Sequence, residues 1–185
     1  MYKKVSIPKN GDGAGCPVPK DPNIVIIDIE DVVKEPTRTV GDTKMVGDYE
    51  LKKDAKAVSV YGTPNSIQVT EEYSGDADAR GVQAGVAFSH PGDSDAVKSL
   101  IEHTMNRGVI ILVKGCDGSS AGKMTAVGSV CNPLFLSVET TNNNESNKRT
   151  LTFKQEMNSQ FLPGTYTGAV PALADPAEAD VAEGA

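Results

Sequence analysis

Four groups of residues in this 185-residue chain have types and spacings that could support chemistry. Gly118-Ser119-Ser120-Ala121-Gly122-Lys123-Met124-Thr125 invites comparison with a phosphate loop. That loop needs four residues between its glycines and a Ser or Thr directly after the Lys, because the hydroxyl holds magnesium. Here three residues stand between the glycines, Met124 takes the hydroxyl position, and the next residues have the texture of a strand. A hairpin loop is the simpler account. His90, with Asp93 and Asp95 close behind it, has the residue types of a general base or a metal ligand. No second ligand stands at helical or turn spacing, and His90-Pro91 ahead of a helix start is ordinary turn chemistry. The other histidine, His103, falls on the helix face away from Leu100, on the solvent side.

The carboxylates Glu71, Glu72, Asp76 and Asp78 form an acidic cluster of the kind that glycoside hydrolysis employs. Sugar sites stack their substrate on aromatic rings, whereas this chain is 5% aromatic and has no Trp. A solvated charged turn accounts for the cluster with fewer assumptions. Cys16, Cys116 and Cys131 are odd in number and lack paired spacing, which fits free thiols better than a disulfide framework or zinc knuckle. No catalytic, cofactor or metal site emerges from these groups, and the expectation is a protein that is not an enzyme.

Gly81 to Val113 has the sharpest local signals. Val82, Ala84, Val86 and Phe88 fall on every second position, the period of a half-buried strand. Pro91-Gly92 stops it, and Asp93 or Ser94 is placed to cap a helix over about residues 93–107. Val97, Leu100, Ile101 and Met105 would form its apolar face, with Arg107-Gly108 ending it. Val109 to Val113 is a continuous apolar run, as in a strand covered on both faces.

The remaining elements follow from the same periodicities. Residues 1–23 are dense in Pro and Gly and read as an extended N-terminal arm. Strands are expected at 23–33, 57–61, 66–74, 124–130, 134–139 and 149–156. A long polar loop at 34–54, with a short strand near Met45, and a polar loop at 140–148 separate them. The strands at 66–74 and 82–88 suit an antiparallel hairpin. Residues 24–168 thus make one β-rich domain, and the Ala/Pro/Asp/Glu segment 169–185 is expected to be a disordered acidic tail. The fold class is mainly β with one flanking helix (α+β), a β-sandwich or small barrel. A net charge of −7 argues against general nucleic-acid binding, and no apolar run approaches membrane-spanning length. Membrane insertion is not expected.

One strand face is unusual. Gly81, Gln83, Gly85, Ala87 and Ser89 are small or uncharged and unlike an ordinary solvent face. They are either covered internally or are candidates for a subunit interface, since small residues let another backbone approach.

In order and texture, residues 24–160 resemble the major tail (tail tube) proteins of long-tailed bacteriophages and related contractile injection tubes. The features that carry the likeness are EEYSGDADARGVQAGVAF, the single helix after it, VIILVKGCDGSSAGK, MTAVGSVCNPL and a late RTLTFKQE strand. The resemblance implies a β-sandwich with a flanking helix, assembling as hexameric rings that stack into a tube around a DNA channel. It implies a homo-oligomer in contact with other tail proteins, located in the virion tail after synthesis in the host cytoplasm. Glu71, Glu72, Asp76 and Asp78 would then face the lumen, where like charge lets DNA pass without specific binding. The arm and the 34–54 loop would bridge successive rings. A monomeric sandwich-type binding module, for decoration or adhesion, is the alternative, with a hydrolase built on His90 last.

Overall fold

The computed structural model describes residues 4–9, 11–12, 15–39, 41–116 and 122–176. In chain order the elements are β1 (Asn23–Asp28), a 3-10 turn (Ile29–Asp31), β2 (Val32–Lys34), β3 (Glu50–Leu51), β4 (Val58–Tyr61) and a second 3-10 turn (Pro64–Ser66). Then come β5 (Gln68–Ser74), β6 (Gly81–Pro91), α1 (Asp95–Thr104), β7 (Val109–Lys114), β8 (Met124–Val127), β9 (Leu134–Asn142), β10 (Asn147–Gln155) and β11 (Gly164–Tyr166). The class is mainly β, antiparallel, with one helix, as the sequence pattern implies.

The strands form two halves. Sheet I runs β9-β10-β6-β5; sheet II runs β11-β8-β7-β1-β4. A single pair, Val109 with Leu134, joins them. The facing sides enclose the main core. Ile24, Ile26, Val60, Val109, Ile111, Val113 and Val127 come from sheet II, and Ala84, Val86, Phe88, Leu151 and Phe153 from sheet I. Phe88 and Phe153 stack with centroids 6.1 Å apart, an arrangement that adds to their area burial.

Sheet II is covered on its far side too. Val25, Ile27, Ile110, Leu112, Met124 and Ala126 pack beneath Tyr49, Ala57 and Tyr166. The cover comes mainly from residues 29–57. This excursion is expected as a long loop, but much of it is a hairpin: β2 pairs with β3, and Thr37 bridges Val46. The expected strand over 23–33 is accordingly split. Asp28 accepts from the Glu30 N–H and caps a 3-10 turn that swings the chain off sheet II.

Other expectations need adjustment at the ends of elements. Strand β6 runs on through His90 and Pro91, and the helix spans 95–104 rather than 93–107. Ser94 is its N-cap residue but makes no side-chain capping bond. Met105 lies beyond the last turn and is exposed, while Thr104 is buried and donates to the Leu100 carbonyl. The polar loop expected over 140–148 shrinks to a turn at residues 143–146, because β9 and β10 pair out to Asn142 and Asn147. Asn143 Oδ1 there accepts from the Glu145 and Ser146 amides. Strand β11 lies in a stretch with no strand signal.

The two termini are not wholly free. Asp21 N donates to the Lys114 carbonyl and Cys116 N to that of Pro19, so the arm joins sheet II at its last residues. Part of the acidic tail is also ordered, contrary to expectation. Ala57 N donates to Ala172, Ala174 N donates back to Ala57, and Lys56 pairs with Asp175 at 2.9 Å. Residues 177–185 lie outside the described set.

Two consequences are measurable. Phe153→Ala empties the centre of the main core and should lower unfolding stability by about 3–5 kcal/mol in urea denaturation; a loss under about 1 kcal/mol would mean the two sheets do not pack face to face around this ring. The second concerns Asp93, which Arg149 on β10 grips through both Nε and Nη2, tying the helix entry to sheet I. The Arg149 hydrogen bonds hold the Asp93 carboxyl below its usual range, opposed by desolvation and aided by the charges of Arg149 and Lys98. A depressed native pKa stabilises the fold above the unfolded value of about 3.9 and ceases to do so as pH falls through the native value. The stability advantage of the wild type over Asp93→Asn should therefore be present at neutral pH and disappear in acid below that range. An advantage independent of pH would exclude the charge as its source.

Candidate assembly surface

The outward side of sheet I carries the residues that the sequence marks as interface candidates. Strand registers place Gln68, Thr70, Glu72 and Ser74 on it from β5, and Gly81, Gln83, Gly85, Ala87 and Ser89 from β6. Strand β10 adds Lys148, Thr150, Thr152 and Lys154, and β9 adds Phe135, Ser137, Glu139 and Thr141. Short polar side chains dominate this face. Its two central charges neutralise one another, because Lys154 on β10 reaches Glu72 on β5 at 2.6 Å. That bridge crosses β6, whose Gly85 stands directly opposite both Lys154 and Thr70.

The small residues of β6 have local explanations. A Cβ at Gly85 would meet the Phe153 carbonyl and Thr70 Oγ1 at 3.0 Å, and one at Gly81 would meet Asn158 Cβ at 2.7 Å. Gln83 donates to the Glu156 carbonyl, and Ser89 Oγ lies 3.2 Å from Thr150 Oγ1. Ala87 lies between Gln68 and Thr152. The five candidates therefore do share one outward face, but close neighbours within the chain already account for both glycines.

The acidic group does not stay together. Glu71 and Glu72 are adjacent on a strand and so point to opposite faces. Glu72 is on the outward side with Lys154, while Glu71 accepts from the Tyr73 hydroxyl at 2.7 Å. Asp76 and Asp78 lie in the connection from β5 to β6, where Asp78 takes a φ of 67° and Gly75 one of 114°. A row of four carboxylates on one face is not what the registers give.

The edges of sheet I were not legible in the sequence. Among the described residues no strand pairs with the free side of β5, and none pairs with β9 beyond Leu134. Helix α1 packs against β9, leaving β5 as the more open edge. Nearly every side chain of β5 is exposed, including Tyr73 at 69%. Unpaired edge amides and carbonyls are a template for pairing with another chain.

The remaining candidates have structural roles. His90 Nδ1 lies 2.8 Å from the Tyr61 carbonyl, and Asp93 is committed to Arg149, so no His–carboxylate dyad forms there. His103 Nε2 is 3.2 Å from Asp28, which Arg107 also approaches. All three cysteines are free and exposed. Most of the glycine-rich stretch 118–122 lies outside the described residues. Among the described residues no three His, Cys, Asp or Glu side chains are grouped to hold a metal ion, and no helix is long and apolar enough to cross a membrane.

A cavity of about 590 Å³ lies at the other end of β10, beneath the 35–46 hairpin. Gln155 forms its inner wall and substitutes for a missing ladder bond: its Oε1 accepts from Ala84 N and its Nε2 donates to the Asn132 carbonyl. Sequence reasoning missed this cavity, since its residues come from stretches far apart in the chain. Comparison of the chain with family models, with curated proteins and with solved structures finds no match.

Proposed function

We propose that the protein is a structural subunit of a phage-type tail tube, assembling into stacked, hexameric rings around a channel for DNA. The observation that carries this reading is sheet I. Among the described residues it has a long open edge at β5, a second strand edge at β9, and an outward face rich in short polar side chains. Joining β5 of one copy to β9 of the next would satisfy the edge amides of both and continue the sheet around a ring. The outward face would then line the channel. Its short hydroxyl and amide side chains and its self-neutralised Lys154–Glu72 pair offer DNA phosphates little to hold, so passage without specific binding follows from low cation density. The net charge of −7 works in the same direction. The arm before β1, whose residues 4–9 are exposed, is available to neighbouring copies or to other tail proteins. The place of action in this reading is the virion tail.

A monomeric sandwich module for decoration or adhesion is the second reading. It draws on the local crowding at Gly81 and Gly85, which explains the small residues of β6 without a partner.

Light scattering and negative-stain microscopy across a concentration series separate the two. The assembly reading expects rings or tubes with a central hole. The double variant Tyr73→Lys/Ser137→Lys, one exposed site on each edge strand, should remain monomeric with stability within about 0.5 kcal/mol of wild type. A wild-type protein that stays monomeric at every concentration favours the binding module.

A further inference from the structure

Among the described residues, one buried side-chain polar atom has no partner, and it belongs to Arg38 at the cavity beneath the 35–46 hairpin. Arg38 follows Thr37, whose backbone is locked to Val46 by bonds of 3.0 and 2.9 Å. Its guanidinium lies 4.6 Å from the Phe161 ring centroid. Its Nε is buried and has no hydrogen-bond partner, and no described carboxylate forms a salt bridge with it. Gly164 makes the space, since a Cβ there would stand 3.0 Å from Arg38 Nη1 and 2.5 Å from Met45 Sδ.

Several other polar groups around the cavity are already engaged. Gln155 bonds at both ends, Ser129 Oγ accepts from Asn132 N, and Ser159 Oγ accepts from Phe161 N. Glu35, the one carboxylate in the lining, accepts from Val130 N at 3.0 Å. Arg38 is the one cation among the lining residues, and Met45, Phe161, Pro163 and Ala126 give the cavity apolar walls.

We propose that this cavity is a binding site for a carboxylate carried on an apolar body, with Arg38 as its anchor. A guanidinium presents Nε and one Nη as a planar fork that matches two carboxylate oxygens. Nε is closed to water as the side chain stands, so a carboxylate pairs with it through a small shift of the guanidinium, and that pairing recovers the cost of leaving the group unmatched. A lone cation suits a monoanion better than a doubly charged phosphate, and the apolar walls select the body behind the charge. Desolvation disfavours the charged guanidinium and lowers its pKa, against the opposing influence of the Asp42 charge, and an incoming anion relieves this. The volume falls within the range of small-molecule sites. Such a site does not require assembly. The carboxylate could come from a free acid or from an acidic side chain of a second copy, and the test distinguishes these sources.

The experiment is NMR on the ¹⁵N-labelled full chain while benzoate is added. It follows the Arg38 Nε–H resonance and the backbone amides of the lining residues Met45, Phe161 and Gly164, with those amides as the readout in the variant. Benzoate should bind saturably with a Kd of about 1 mM, the scale of a well-placed fragment. Benzamide, of the same shape without the charge, should bind at least about tenfold more weakly, since a charge-assisted pair is replaced by a neutral one. Arg38→Met should abolish the benzoate response. That pattern supports the site with a free acid as the ligand. If the resonance moves with protein concentration alone and benzoate reverses the movement, the site stands and the carboxylate belongs to a second copy. No saturable response, equal responses to benzoate and benzamide, or a response that persists in Arg38→Met would overturn the proposal. The benzoate and benzamide comparison needs only wild-type protein, so it holds even if the variant fails to fold.

Discussion

Two strands of this protein have no solvent face. Ile24–Ile27 of β1 and Val109–Val113 of β7 are buried on both sides, and they pair with each other along four residues. A strand of this kind is stable only if both of its faces are covered, because apolar area left in water costs about 25 cal/mol per Å². The rest of the chain supplies the two covers. Sheet I and α1 close one side through Phe88, Phe153, Leu100 and Ile101. The 29–57 excursion, with Tyr49, Ala57 and the returning Tyr166, closes the other.

The second cover is built differently from the first. Sheet I is a regular antiparallel sheet of two hairpins, β5-β6 and β9-β10, whose hydrogen bonds are made within the ladder. The outer cover is assembled from short pieces and needs separate ties. Tyr166 donates to the Ala169 carbonyl at 2.6 Å, Ala169 N donates to Asp48, and Thr165 exchanges bonds with Thr43 and Met45. Ala57 is held between Ala172 and Ala174. These bonds satisfy backbone groups that would otherwise be orphaned beneath the cover. The gap left where the two covers meet, around Arg38, Gln155 and Gly164, is the cavity in which the unmatched guanidinium lies.

Covering sheet II has a consequence for sheet I. Only its inner side is needed for the core, so its outer side and the far edge of β5 are left to water or to a partner. Lys154 and Glu72 show how that surface is managed: a charge pair spanning three strands, possible because Gly85 lies flat between them. The Gln155 side chain performs a similar service at the end of the ladder. It replaces a backbone bond for Ala84 where β10 departs, and the chain rejoins β6 when Ser159 and Val82 exchange bonds of 2.8 Å.

Much of the fold was legible in the sequence. The alternation of Val82, Ala84, Val86 and Phe88, the continuous run at Val109–Val113 and the spacing of Val97, Leu100 and Ile101 determined strand, doubly covered strand and helix, because side-chain periodicity follows directly from backbone geometry. What only the tertiary structure decided were relations between distant segments. Glu71 and Glu72 part company because neighbours on a strand face opposite ways, and Gly85 is small because of Thr70 and Phe153 on flanking strands. The hairpin of residues 32–51 gave no clear signal, since short strands held by a few backbone bonds carry little periodicity. The cavity around Arg38 could not be read at all. Its walls come from positions more than a hundred residues apart, and local sequence patterns hold no information about which distant side chains meet.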